Sequence, residues 1–149
     1  MTALQESIRP SADLRNHYSD ISRQCREDNE AVIITVNGRG DTVSMAYEQY
    51  KRLKAYTELL EMLIEAENDV RDGRTSPAGQ TFERLQIDAL SQTPEIGIVP
   101  ADSFLRRNGF RVLITEKDLV FYKVNKEEMT VTVYAVTDQR QDYISIVSG

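Results

Sequence analysis

Between Ser11 and about Asn29, Leu14, Tyr18, Ile21 and Cys25 recur at spacings of four, three and four, the period of one helical face. Arg15, Ser22 and Arg26 fall on a different, solvated face of the same predicted helix. Upstream, Glu6 to Arg9 reads as a short extended segment, because Pro10 disfavours helix at Arg9 and lacks a backbone donor, and Ser11 then offers an N-cap. Downstream, the period changes. Ala31 to Val36 is a β-branched and aliphatic run, Asn37-Gly38-Arg39-Gly40-Asp41 interrupts it, and Thr42 to Met45 resumes it. An Asn-Gly between two such runs predicts a hairpin, and the longer loop leaves the turn type open.

Ala46 to Asp72 contains no Gly or Pro and carries Tyr50, Leu53, Leu60, Leu63, Ile64 and Val70 among charged residues, which predicts one long helix or two short ones stopped at Gly73. Asp72-Gly73 and Thr75-Ser76-Pro77-Ala78-Gly79 then punctuate the chain. The expected organisation is a domain over 1–73, a linker over 74–80 and a second segment over 81–149. That segment is expected to open with a helix over Thr81 to Gln92, with Phe82, Leu85, Ala89 and Leu90 inward. Phe110 to Thr115, Leu119 to Val124 and Thr130 to Val136 follow as the strands of an antiparallel meander. The fold class is α+β: a β-α-β-β-α unit, then a short helix and a three-stranded meander.

Composition narrows the function classes. With 149 residues and 40% apolar content the chain can bury a core in one domain or two small ones. No apolar run approaches the roughly 18 residues that span a bilayer, and Met1 to Glu6 lacks a secretory pattern, so a cytoplasmic protein with no membrane partner is expected. One cysteine, Cys25, and one histidine, His17, offer neither an internal disulfide nor a clustered metal site, and no cofactor or metal is expected. A net charge of -6 argues against indiscriminate coating of nucleic acid, so any DNA contact rests on a few placed arginines. In the long predicted helix Lys51, Arg52, Lys54 and Arg71 are outnumbered by Glu48, Glu58, Glu61, Glu65, Glu67, Asp69 and Asp72, with the lysines early and the acids late, an end suited to a basic partner.

The stretches Ser7-Ile8-Arg9-Pro10-Ser11-Ala12-Asp13-Leu14-Arg15-Asn16 and Glu30-Ala31-Val32-Ile33-Ile34-Thr35-Val36-Asn37-Gly38, with Ser44-Met45 and Tyr50 to Leu53, resemble the Phd/YefM family of antitoxins over about residues 5–75. The resemblance implies a homodimer, or a dimer of dimers, that binds operator DNA through paired N-termini and represses transcription, and whose C-terminal tail wraps a toxin. It places Arg15 at the DNA surface with Asn16 beside it. Arg15 is also expected in the first turns of its helix, where free backbone N–H groups and the dipole favour an anion; Arg9 precedes the same helix end, and Ser11 is a further DNA candidate. On residue type alone, Arg15 and Asn16 are ordinary solvated side chains. Arg39, between two hairpin glycines, is a further candidate for the DNA backbone, although a turn explains those glycines by itself.

In the second half, Pro94-Glu95-Ile96-Gly97, Gly109-Phe110-Arg111-Val112-Leu113, Leu119-Val120-Phe121-Tyr122-Lys123-Val124 and Arg140-Gln141-Asp142-Tyr143 are similar to the C-terminal part of RelE/ParE-type toxins, over about residues 81–143. Of the opening strand and helical hairpin of that fold only the end of the second helix has a counterpart, in Thr81 to Gln92, so the resemblance is to a truncated toxin. Arg111, Arg140 and Tyr143 fall where the family has basic and aromatic residues, yet this half contains no histidine to move a proton, and no enzyme is expected. Leu60, Leu63 and Ile64 on the acidic helix, and Arg106, Arg107 and Arg111 before the meander, are the candidate partner-binding residues. The arginines read equally as a charged strand edge. Their pairing predicts that the acidic end of the helix packs on the chain's own meander or on that of a dimer mate. The alternative function is a module that captures a separate RelE/ParE-type toxin with little DNA binding; a residual nuclease or gyrase-inhibiting activity of the second half is a third.

Overall fold

A computed structural model describes residues 5–77 and 89–149. In chain order β1 (Gln5–Pro10), α1 (Ala12–Asn16), α2 (Tyr18–Glu27), β2 (Glu30–Val36), β3 (Arg39–Ser44) and α3 (Tyr47–Arg71) are followed by α4 (Ala89–Gln92), α5 (Ser103–Arg107), β4 (Arg111–Ile114), β5 (Asp118–Asn125), β6 (Thr130–Asp138) and α6 (Gln141–Ser148). The strands form two three-stranded sheets, β1-β2-β3 and β4-β5-β6, so the fold is mixed α+β. By packing the chain divides into two compact units, Met1–Lys54 and Ala55–Gly149, and the division falls within α3. The 74–80 stretch expected as a linker lies partly outside the described residues, as does most of the helix expected from Thr81. Its end is α4, with Leu90 fully buried.

In the first unit β1 runs parallel to β2, as a crossover through α1 and α2 requires, and β2 pairs antiparallel with β3. The single helix expected from Ser11 to Asn29 is two, because His17 leaves helical geometry at φ -135° and ψ 34°. The break gives Ile21 and Cys25 to the core while Leu14 and Tyr18 stay exposed, so the four-residue apolar stripe in the sequence is divided between core and solvent. Ile21 and Cys25 pack on Val32 and Ile34, on the sheet face that α2 covers. Asn37 and Gly38 form a two-residue turn with φ of 52° and 76°, the positive pair of a type I′ hairpin. β3 therefore begins at Arg39, earlier than the β-branched pattern suggests, with a bulge opposite Ile34 and Thr35.

α3 ends where Gly73 adopts φ +76°, with Gly73 N bonded to Val70 O and Arg74 N to Asp69 O, the paired bonds of a Schellman cap. From Ala55 onward this helix belongs to the second unit. Ala55, Leu59 and Leu63, four residues apart, lie in one core with Leu105, Phe110, Val112, Leu119, Phe121, Ala135, Tyr143, Ile146 and Val147. The meander alternates as a two-faced sheet should: Leu119 and Phe121 face that core, and Val120 and Tyr122 face a second cluster with Leu90. Tyr122 fixes the segment ahead of β4 by donating its hydroxyl hydrogen to Pro94 O (2.7 Å) and accepting from Gly97 N (2.9 Å). The helices α5 and α6 were not anticipated from sequence; each is a short stretch whose periodicity is too brief to register.

Candidate nucleic-acid interface

The DNA candidates cluster where β1 turns into α1. Pro10 ends the strand, Ser11 N donates to Thr35 O (2.9 Å), and α1 starts at once. Ser11 occupies the N-cap position, but its hydroxyl makes no capping bond, because the residue itself sits in helical conformation at φ -58° and ψ -28°.

Arg9 is not free. Its Nε donates to Gln24 Oε1 at 3.2 Å and its guanidinium pairs with Asp13 Oδ2 at 3.0 Å, which leaves its side chain 28% exposed. Gln24 in turn donates to Ser7 Oγ (3.0 Å) and to Glu30, so it braces β1 against α2 and β2. In this arrangement Arg9 holds the entry of α1 and its charge is balanced by Asp13. Gln24 is a structural residue that the sequence analysis missed; a solvated glutamine on an amphipathic helix carries no signal of its own.

Arg15 differs. It lies in the last turn of α1 and not in the first turns of a longer helix as expected, because the break at His17 ends α1 at Asn16; it is exposed, with no hydrogen bond or ion pair among the described residues. Arg23 and Arg26 nearby are held by Asp20 and Ser22. Asn16, the final residue of α1, is exposed beside Arg15, as is Ser11 at its start. Arg39 is exposed at the first position of β3, beyond the type I′ turn. An unpaired guanidinium next to an amide suits bidentate contact with phosphate or a base edge.

The sheet face away from α2 is open. Strand register sets Ile8, Ile33 and Val43 side by side across β1, β2 and β3, and Ile8 and Val43 are 71% and 59% exposed.

Residues 6–79 match the sequence model of a family described as Antitoxin Phd_YefM, type II toxin-antitoxin system. Residues 6–79 are a Phd/YefM antitoxin domain. The antitoxin domain thus takes in the first sheet, α1, α2 and the whole of α3. Comparison of the chain with curated proteins and with solved structures returns no match. An antitoxin of this type has a toxin as its general partner.

The partner candidates are dispersed over the second unit. Of the three on α3, Leu63 is in the core, Leu60 is half-buried and Ile64 is 57% exposed. The buried face is instead Ala55, Leu59 and Leu63; the four-residue spacing was present in the sequence, but the denser Leu60-Leu63-Ile64 cluster obscured it. Arg106 and Arg107 occupy the last turn of α5, where they bond Ala101 O and Ser103 O, and they do not lie on a strand edge. Arg111 opens β4 and holds the carbonyls of Glu95 (3.2 Å) and Gly97 (2.9 Å). No helix among the described residues is long and apolar enough to cross a membrane.

Two polar clusters flank the α3 seam. Tyr143 donates to Glu58 (3.3 Å) and lies under Arg140, which pairs with Asp138; burial and the Glu58 carboxylate raise the Tyr143 pKa against the opposing effect of Arg140. Tyr56 donates to Asp102 (3.2 Å), which also caps α5 by accepting from Leu105 N (3.0 Å). Burial first, and then the Asp102 carboxylate, push the Tyr56 pKa up to about 12.

Proposed function

We propose that this protein is a homodimeric antitoxin that binds operator DNA and represses transcription, with Arg15 and Asn16 at the DNA and Ser11 and Arg39 beside it. The observation that carries the reading is the state of Arg15: an exposed, unpaired guanidinium at the end of a short helix, while the neighbouring arginines are tied to carboxylates or a hydroxyl. Arg9 then acts indirectly by holding the strand-to-helix entry. Dimerisation is supported by the open apolar row of Ile8, Ile33 and Val43, which a second copy would cover, and pairing would double the few cations that an acidic chain offers.

The experiment is gel retardation with DNA from upstream of the protein's own gene. Arg15→Ala is expected to weaken binding at least about tenfold, the loss of one good charge-assisted contact, and to leave the circular dichroism spectrum unchanged. Unaltered affinity would remove Arg15 from the interface.

The segment over 81–149 reads as a RelE/ParE-type remnant without activity. That reading is supported by its helix followed by an antiparallel meander, and by the engagement of Arg111, Arg140 and Tyr143 in internal contacts. Growth arrest on expression of residues 76–149 would overturn it.

A further inference from the structure

Residues 55–71 belong to two things at once: by sequence they are the end of the antitoxin domain, and by packing they are part of the second unit's core. We propose that the part of the second unit that follows α3, residues 89–149, is the antitoxin helix's partner held in cis. The surface formed by β4, β5, β6 and α6 is a helix-docking groove, α3 is its ligand, and that face of α3 is closed to a separate toxin. The inference rests on the antitoxin reading for the identity of the helix, and on packing alone for the docking.

The groove recognises α3 by chemistry as well as shape. Ala55, Leu59 and Leu63 form an apolar seam along the helix, buried against Phe110, Leu119, Phe121 and Ile146. At one end Tyr56 donates to Asp102, and Glu58 accepts from Tyr143. At the other end Glu67 pairs with Lys123, whose ammonium also lies 4.5 Å from the Phe110 ring centre and 5.1 Å from that of Tyr134. Glu58 and Glu67 are nine residues apart, about 13 Å along a helix axis. A helix displaced by one turn in the groove would break both acidic contacts while keeping much of its apolar burial, so the two ends set the register. Glu61, Ile64 and Glu65 face away and take no part.

The test uses the full chain with a specific protease site introduced between Arg74 and Thr75, which are exposed. After cleavage at micromolar concentration the two fragments are expected to elute as one particle. Leu63→Asp in the same chain is expected to release the 75–149 fragment, and Ile64→Asp, one residue away but outward, is expected to leave it bound. Separation of the unsubstituted fragments, or equal behaviour of the two variants, would overturn the proposal. Hydrogen exchange on the uncut, unsubstituted chain gives a readout that does not depend on the folding of Leu63→Asp. The amides of 55–71 are expected to open together with those of β5, and opening of 55–71 well ahead of β5 would equally overturn it. Gel retardation on the cut chain separates the two readings, because failure of DNA binding leaves the fragment result unaffected.

Discussion

Arg15 and Arg9 show how much a contact decides at the level of one side chain. Both are arginines near the same turn, yet Asp13 and Gln24 engage one and nothing among the described residues engages the other. Tyr56 gives a pH-dependent counterpart. Its folded pKa of about 12 lies above the ordinary 10.0, so the proton is held more tightly in the folded chain. The associated stability is therefore complete below pH 10.0 and is lost as pH rises through about 12. Alkaline unfolding in that window, followed by circular dichroism, is expected to be less steep in Tyr56→Phe. That variant should also lose roughly 1–2 kcal/mol at neutral pH, from an unmade hydrogen bond to a buried carboxylate. Gly97 is a steric case. A Cβ there would stand 2.5 Å from the Tyr122 hydroxyl oxygen and 2.9 Å from Val112 O, so Gly97→Ala must displace the tyrosine that holds Pro94. Urea melting is expected to show a loss of about 1–3 kcal/mol, the usual cost of overpacking. Gly40→Ala, whose Cβ would meet Ile33 at an ordinary 3.5 Å, is expected to change little by comparison.

Secondary elements were legible to the extent that their residues repeat a period. The hairpin announced itself through Asn37-Gly38, because few residues other than Asn and Gly tolerate two successive positive φ angles. The end of α3 was readable at Gly73 for the same reason. The break at His17 was not, since nothing in Asn16-His17-Tyr18 forbids a helix and the apolar period runs straight through it; the sheet beneath α2 accepts only Ile21 and Cys25. The open face of the first sheet carries a prediction at this scale. Ile8→Asp places a charge at the β1 end of the Ile8, Ile33 and Val43 row and is expected to shift the protein from dimer to monomer in light scattering. The fold of the unit should be retained, because Ile8 contributes nothing to the core on the other face. A dimer that persists unchanged would assign pairing to another surface.

For the whole molecule, the sequence and the packing draw different lines. Glycine and proline mark the stretch after Asp72, and the antitoxin match runs to residue 79, whereas the packing units part between Lys54 and Ala55. Periodicity and turn chemistry are local, so the residues alone determined the α+β class, both the hairpin and the meander, the helical character of the stretch up to Gly73 and the kinship of residues 6–79 to Phd/YefM antitoxins, whereas that α3 is one helix and not two was left to the structure. Which face of α3 is buried, which arginine is left unpaired and which core residues 55–71 complete are matters of long-range contact. They depend on partners such as Tyr143 and Asp102, many residues away in the chain, and no local pattern encodes such distances. The tertiary structure decided them, because a helix with apolar residues on more than one side takes its inward face from the surface it meets.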